Sequence, residues 1–174
     1  GHGSGVMAGI HNATGLYYKV VDSDDWVETK DVITMLDLIK KHLAENKQID
    51  LYISNYVYEH ASDNTSYQMH YRNCLPVNKI FTWKEMKHVK LSTIFLMHSL
   101  MYRLDVLKES KMELPNHTFY VDDIYAYIPL PYVKTIYYND LDLYHYFIGR
   151  EGQSINFTTM CNRYDQQMRV FEII

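Results

Sequence analysis

Apolar and polar residues follow one another along the chain in two patterns, one typical of helices and one typical of strands. Helices are predicted over residues 6–12, 29–46, 103–110, 124–130 and 155–174. Strands are predicted over residues 16–21, 50–58, 67–71, 79–83, 118–121, 133–138 and 143–148, whereas 92–102 fits either a strand or a buried helix. Because helices and strands alternate without a linker or repeat, we predict a single α/β domain over residues 1–174.

Two of the predicted helices are amphipathic. In the helix that begins near residue 29, a stripe with a 3.6-residue period consists of Val32, Leu36, Ile39 and Leu43, and we expect it to face the core. In the closing segment, apolar residues recur every three or four positions up to Phe171, which predicts a closing amphipathic helix.

Acidic residues follow the first predicted strand directly, in the sequence Val-Val-Asp-Ser-Asp-Asp-Trp at residues 20–26. In α/β sheets, ligands bind at the carboxyl ends of strands. In an extended segment, the carboxylates of Asp22 and Asp24 point the same way. Together they offer hard oxygen ligands for Mg²⁺ or Mn²⁺, and such an ion neutralises a diphosphate.

Other interpretations of this motif remain open. The motif can be a polar turn in which Asp25 caps the next helix. A calcium loop of the EF-hand type is excluded, because Trp26 and Val27 stand where an oxygen ligand and a glycine are required. A phosphatase with Asp22 as nucleophile also places D-x-D after an apolar strand, although Trp26 departs from that pattern.

A second acidic pair, Asp122 and Asp123, follows the apolar residues 118–121. Neighbouring carboxylates raise one another's pKa, which suits one of them to act as a base near neutral pH. The alternative is that the pair caps a helix beginning near Ile124.

The composition narrows the class of protein further. Apolar residues make up 47% and charged residues 22%, as in folded domains, and the net charge of −4 argues against a nucleic-acid partner. Two distant cysteines, Cys74 and Cys161, form neither a zinc ribbon nor a disulfide framework and suit a reducing, cytoplasmic location. The sequence shows no signal peptide and no run of ~20 apolar residues. The 17 tyrosines fit either half-buried strand and helix positions or a sugar-binding cleft.

Several of these segments together resemble a family 2 glycosyltransferase of GT-A fold. The resemblance is carried by Gly-Ser-Gly at 3–5, Ala-Gly-Ile at 8–10, Ala-Thr-Gly at 13–15, the acidic motif at 20–26, Phe-Tyr-Val-Asp-Asp at 119–123, Leu-Tyr at 143–144 and Gly-Arg-Glu-Gly-Gln-Ser at 149–154. It implies a mixed sheet flanked by helices. It also implies an enzyme that transfers a sugar from a nucleotide-sugar donor to a saccharide or lipid-linked acceptor.

The resemblance also implies roles for individual residues on the donor side. Asp22 would face the ribose or phosphate of the donor, and Asp24 would bind the divalent metal, with Asp25 assisting it or capping a helix. Gly3 belongs to the glycine-rich helix start on the donor side. Arg150 would contact the donor phosphate through its planar guanidinium, or else belong to a solvated loop.

On the acceptor side, the resemblance implies that Asp123 is the general base and that Asp122 is its acidic neighbour. His98 would line the acceptor pocket, although a lone histidine in an apolar run is more often a hydrogen-bonded core residue.

Two departures from the family pattern refine the expectation. The Q-x-x-R-W motif of processive members is absent, which predicts transfer of single sugars. The strand and Pro-x-Tyr-Asn-like turn that hold the nucleoside base are also missing, so we expect an N-terminally incomplete domain with little transferase activity of its own. Peripheral membrane association of the parent protein is a further expectation. A noncatalytic module that binds glycans or a partner through its tyrosines remains the alternative outside the enzymes.

Overall fold

The computed structural model describes residues 1–60, 62–88, 93–149 and 157–174. The helices are α1 (His2–Asn12), α2 (Thr29–Ala44), α3 (Leu104–Glu109), α4 (Val121–Tyr127), α5 (Phe157–Asn162) and α6 (Tyr164–Ile173). The strands are β1 (Tyr17–Tyr18), β2 (Trp26–Val27), β3 (Leu51–Ile53), β4 (Tyr56–His60), β5 (Thr65–Met69), β6 (Ile80–Phe81), β7 (Leu100–Arg103), β8 (Ile136–Tyr138) and β9 (Tyr144–Ile148).

The strands form two mixed sheets. The five-stranded sheet has the order β1-β7-β3-β8-β6, in which β3 and β8 are parallel and the other pairs antiparallel. The four-stranded sheet has the order β2-β9-β4-β5, in which β4 and β9 are parallel. Helices flank these sheets, so the prediction of an α/β fold with a mixed sheet is confirmed, with two sheets in place of one.

The main core surrounds the centre of the five-stranded sheet. All residues of β3 and β8 are buried, as expected for short apolar strands covered on both faces. A smaller apolar cluster lies under α2 and includes Met35, Ile39 and Tyr52. Within the described ranges, no helix has the length and apolar character that crossing a membrane requires.

The predicted buried stripe of α2 is confirmed at Ile39 and, in part, at Val32, and is wrong at Leu36 and Leu43. Leu36 is 49% exposed and Leu43 is also exposed, whereas Met35, Ile39 and His42 face the core. Burial of the polar His42 is compensated, because its Nδ1 lies 2.8 Å from the Tyr52 hydroxyl. The buried face of α2 therefore includes a polar residue whose partner lies on β3, which a helical period does not reveal.

Two predicted strands differ from the structure near the acidic motifs. The strand expected over 16–21 is reduced to β1, so an irregular segment separates it from Asp22. The strand expected over 118–121 is wrong, because Tyr120 has a left-handed backbone (φ 64°) and α4 begins at Val121. Acidic side chains in the first turn of α4 favour a helix start through its dipole.

Other local predictions are confirmed for α3 and β7 and only in part for the closing segment. The helix predicted over 103–110 is α3, and the segment 92–102, which fitted two structures, ends in strand β7. The closing segment forms two helices, α5 and α6, and not one. Its apolar side chains are largely exposed, including Phe171, while Val170 is buried.

Candidate active site

A cavity of about 380 Å³ forms where segments distant in sequence meet, and we call it the main cavity. Its walls include Asp22, His98 in a 3₁₀ turn, the loop 117–120, Asp122 at the start of α4 and Tyr146 of β9. The two acidic motifs of the sequence thus contribute to a single site, although a hundred residues separate them.

The carboxylate of Asp22 is bound by a buried histidine. The His98 Nε2 lies 3.1 Å from Asp22 Oδ2, and His98 is 4% exposed. The His98 ring stacks with the rings of Tyr144, at 4.5 Å between ring centres and 19°, and of Tyr146, at 5.8 Å and 21°. Burial raises the pKa of Asp22, but the hydrogen bond from His98 and the charges of His98 and His2 hold it below its ordinary value. Asp22 is therefore ionised at neutral pH.

Asp25 is attached to β9 by both of its carboxylate oxygens. The Phe147 N–H donates to Oδ1 at 2.9 Å, and the Tyr144 hydroxyl donates to Oδ2. The pairing of β2 with β9, with Trp26 opposite His145, sets this register. Burial raises the pKa of Asp25, although these hydrogen bonds oppose the effect. Asp25 does not cap α2, whose N-cap is Glu28.

The segment 22–25 is a turn and not an extended strand end. The Asp25 N–H donates to the Asp22 carbonyl at 3.2 Å. This turn brings Asp22 and Asp25 to one side, while Asp24 is exposed on the surface. Ligand atoms of Asp22, Asp25 and His98 lie within 4.8 Å of one another, and no other such group occurs in the described part of the chain. A role for Asp24 as a metal ligand stays a prediction.

Asp122 and Asp123 lie in the first turn of α4, and neither is its N-cap, which is Tyr120. Asp122 lines the main cavity. Burial raises the pKa of Asp122, and burial together with the charge of Asp122 raises the pKa of Asp123 to about 6. The loop before them is held in left-handed conformations at His117 (φ 52°) and Tyr120. Strain of this kind in non-glycine residues concentrates at functional sites.

The other two predicted site residues are Gly3 and Arg150. Gly3 is buried within α1 and outside the lining of the main cavity. A Cβ on Gly3 would lie 3.1 Å from the Leu114 Cβ, so the missing side chain allows α1 to pack closely against this segment. Arg150 lies outside the described residues.

Sequence reasoning missed several residues that build the site. Lys19 donates through Nζ to the His98 carbonyl and lies 5.3 Å from the centre of the Tyr144 ring. Burial lowers the pKa of Lys19 to about 7. The alternation of Tyr144 and Tyr146 on one face of β9 was the available signal, because residues two apart in a strand share a face.

The chain has the fold of several solved structures. No protein-family model and no curated protein matches it. It is similar to S. aureus TarS 1–349, with 16% identity over 84% of this chain and 40% of that one, and a TM-score of 0.58. A complex of TarS 1–349 with UDP-GlcNAc matches at 16% identity over 94% and 44%, with a TM-score of 0.62. A complex with UDP matches at 16% identity over 82% and 38%, with a TM-score of 0.56. The chain therefore has a glycosyltransferase fold and spans less than half the length of these structures.

Proposed function

We propose that the protein to which this chain belongs is a family 2 glycosyltransferase of GT-A fold. It would move one sugar at a time from a nucleotide-sugar donor to a saccharide or lipid-linked acceptor. The observation that carries the proposal is the convergence of Asp22, His98 and Asp122 on one cavity. The likeness to TarS structures that contain UDP-GlcNAc and UDP supports the donor class. A cytoplasmic location and contact with a membrane surface remain predictions.

The residues present fit a divalent metal ion such as Mn²⁺ or Mg²⁺. Asp22, Asp25 and His98 together offer two oxygen atoms and one nitrogen at mutual distances suitable for one ion. The His98 Nδ1 is buried without a hydrogen-bond partner among the described residues, so this ring retains an unused ligand atom. When bound, such an ion would neutralise the negative charge of a departing nucleoside diphosphate.

The chain's own residues fix the geometry of this acidic face. Tyr144 connects the two aspartates, because its hydroxyl donates to Asp25 and accepts the Asp22 N–H at 3.3 Å. His98 binds Asp22 through Nε2 and stacks on the rings of Tyr144 and Tyr146, so without a metal ion it positions that carboxylate. The expected contact of His98 with the acceptor stays a prediction.

The acidic pair on α4 would supply the base. The acceptor hydroxyl gives its proton to a carboxylate as its oxygen bonds to the anomeric carbon, and the bond from that carbon to the diphosphate breaks. The resemblance assigned the base to Asp123, but Asp122 is the member that lines the main cavity. We therefore assign proton abstraction to Asp122 and the tuning of its protonation to Asp123. The raised pKa values of both carboxyls suit this work near neutral pH.

The experiment is a transfer assay with the full-length protein and a panel of nucleotide sugars, with Mn²⁺ or with a chelator. Wild type should release nucleoside diphosphate only when an acceptor is present. Asp122→Asn should lose at least about a hundredfold in kcat, as removal of a general base does. Asp123→Asn should retain activity with an altered pH profile.

The exposed Asp105 of α3 provides a matched control, because Asp105→Asn removes the same charge from the first turn of another short helix. Activity should be unchanged in this control. A phosphoryl group found covalently on Asp22 would contradict the proposal and support the phosphatase alternative. Glycan binding without turnover of any nucleotide sugar would support the noncatalytic alternative.

A further inference from the structure

The loop 117–120 forms one wall of the main cavity and leads directly into the first turn of α4, where Asp122 lies. In this loop, His117 (φ 52°) and Tyr120 (φ 64°) both have a left-handed backbone. Such conformations are costly in residues other than glycine, and they persist only where the surrounding structure holds them. Phe119 lies between these two residues, so contacts at Phe119 restrain the strained part of the loop.

Helix α6, near the end of the chain, contacts Phe119 through both its backbone and its ring. The Phe119 N–H donates to Gln166 Oε1 at 2.8 Å. Arg163, the N-cap residue of α6, places its guanidinium over the Phe119 ring, 3.5 Å from the ring centre. The Nη1 atom of Arg163 is buried and has no hydrogen-bond partner among the described residues, so this end of the guanidinium is packed and not solvated. Two different contacts from α6 therefore meet at one residue of the loop.

The side chain of Gln166 is directed at the loop and not at its own helix. Gln166 is the third helical residue of α6, a position from which a glutamine commonly accepts the N–H of the N-cap residue. In α6 the N-cap has no such side-chain hydrogen bond. The oxygen that this position provides accepts the Phe119 N–H instead.

Helix α6 is anchored to the protein along a narrow face. Val170 is 1% exposed and belongs to the main core, whereas Tyr164 and Phe171 are 64% and 60% exposed. Gln166 and Val170 are four positions apart, so they lie on the same face of the helix. Helix α6 also packs against α4. The buried face of α6 is therefore the face that contacts α4 and the loop before it.

We propose that α6, through Gln166 and Arg163, positions the base of the reaction by fixing the loop 117–120, from which α4 begins. This inference rests on the function proposed above, in which Asp122 accepts the proton of the acceptor hydroxyl. Proton abstraction requires the carboxylate to lie within hydrogen-bonding distance of that proton. A displacement of about 1 Å can lower the rate about a hundredfold. Gln166 and Arg163 do not line the main cavity, so they act as positioning residues.

The test measures sugar transfer by the full-length protein, with kcat expressed per UDP-binding site as counted by calorimetry. Gln166→Leu, which removes the acceptor oxygen, should lower kcat about tenfold and leave the KM of the donor within about twofold. Gln166→Glu retains an acceptor for the Phe119 N–H and should keep kcat within about threefold of wild type. Arg163→Met, which removes the cation from the ring, should lower kcat about threefold.

A double-mutant cycle separates positioning of the base from a general loss of structure. In Asp122→Asn, the further change Gln166→Leu should alter the residual kcat by less than about twofold, because no base remains to be positioned. A general loss of structure would lower kcat about tenfold in either background. Gln167→Leu is the matched control, because its side chain leaves the helix about 100° away from that of Gln166, and it should retain the wild-type kcat. Arg169→Met, at an exposed position of α6, is the control for Arg163→Met.

Hydrogen exchange reports on the loop without the reaction. The Phe119 amide should exchange at least about tenfold faster in Gln166→Leu than in wild type or Gln166→Glu, because its acceptor is lost. Equal exchange in all three proteins would overturn the proposal, as would a wild-type kcat in Gln166→Leu or an equal loss of kcat with and without Asp122.

Two other outcomes are also decisive. If no nucleotide sugar is turned over, the function proposed above fails, and the exchange rate of the Phe119 amide then decides whether α6 holds the loop. If circular dichroism shows that Gln166→Leu is unfolded, Arg163→Met takes its place in the double-mutant cycle, where a loss of kcat that is equal with and without Asp122 would overturn the proposal.

Discussion

Replacing Asp123 by Asn should stabilise the protein most strongly at neutral pH. Burial and the charge of Asp122 raise the pKa of Asp123 from 3.8 to about 6. A folded-state pKa above the unfolded value means that the protonated carboxyl favours the folded state. That contribution is complete below pH 3.8 and is lost as the pH rises through the folded-state pKa. At about 1.4 kcal/mol for each pKa unit, ionisation of Asp123 costs about 3 kcal/mol at neutral pH.

The assay is urea unfolding of wild type and Asp123→Asn, followed by circular dichroism at about pH 4.5 and about pH 7.5. The stability advantage of the variant should grow by about 2 kcal/mol between these two pH values, because most of the ionisation occurs between them. The neighbouring Asp122 titrates together with Asp123, so the measured change belongs to the pair.

Asp105→Asn controls for removing a carboxylate from a first helical turn, since Asp105 occupies that position in α3 and is exposed. Its effect on the free energy of unfolding should be the same at both pH values. The reasoning is refuted if Asp123→Asn behaves like this control, with an advantage that stays constant within about 0.5 kcal/mol.

Three further predictions follow from the same structure. The kcat/KM for sugar transfer by the full-length protein should fall about tenfold per pH unit once the pH is below the pKa of Asp122, which burial raises above its ordinary value, because this base must be ionised; a rate independent of pH would contradict this. In urea unfolding, Lys111→Gly should add about 1 kcal/mol of stability, because Lys111 has φ 52°, and Lys111→Ala should add none. Gly9→Ala should cost about 2 kcal/mol and lower the Tm by several degrees, because a Cβ there overlaps the Tyr18 hydroxyl; an unchanged Tm would contradict this.

Local sequence patterns predicted most helices and strands, because short-range periodicity decides where such elements form. Helix α3 and strand β8 lie within their predicted ranges. The patterns predicted the buried face of α2 in part: Ile39 is buried as expected, but the burial of Met35 and His42 was not predicted. The His42 ring contacts Tyr52 and Tyr137 of the five-stranded sheet, at 5.9 and 4.8 Å between ring centres. Such contacts join residues far apart in sequence.

The candidate site was also predictable only in part, because many of its contacts join residues that are far apart in sequence. The composition of the two acidic motifs indicated Asp22 and the pair on α4, and the structure brings Asp22 and Asp122 to one cavity. The turn at 22–25 was not predicted, because we expected the D-x-D motif to lie in an extended segment. The partnership of Asp25 with Tyr144 depends on the register between β2 and β9, which is fixed only when distant strands pair.

Binding of UDP to the full-length protein in the presence of Mn²⁺ tests the central claim most directly. Calorimetry should show saturable binding that disappears with a chelator and weakens at least about tenfold in Asp22→Asn, because a carboxylate of the metal-binding group is lost. Binding should be unchanged in Asp105→Asn, which retains Asp22, Asp25 and His98. Failure of any nucleoside diphosphate to bind, with or without metal, would contradict the glycosyltransferase proposal.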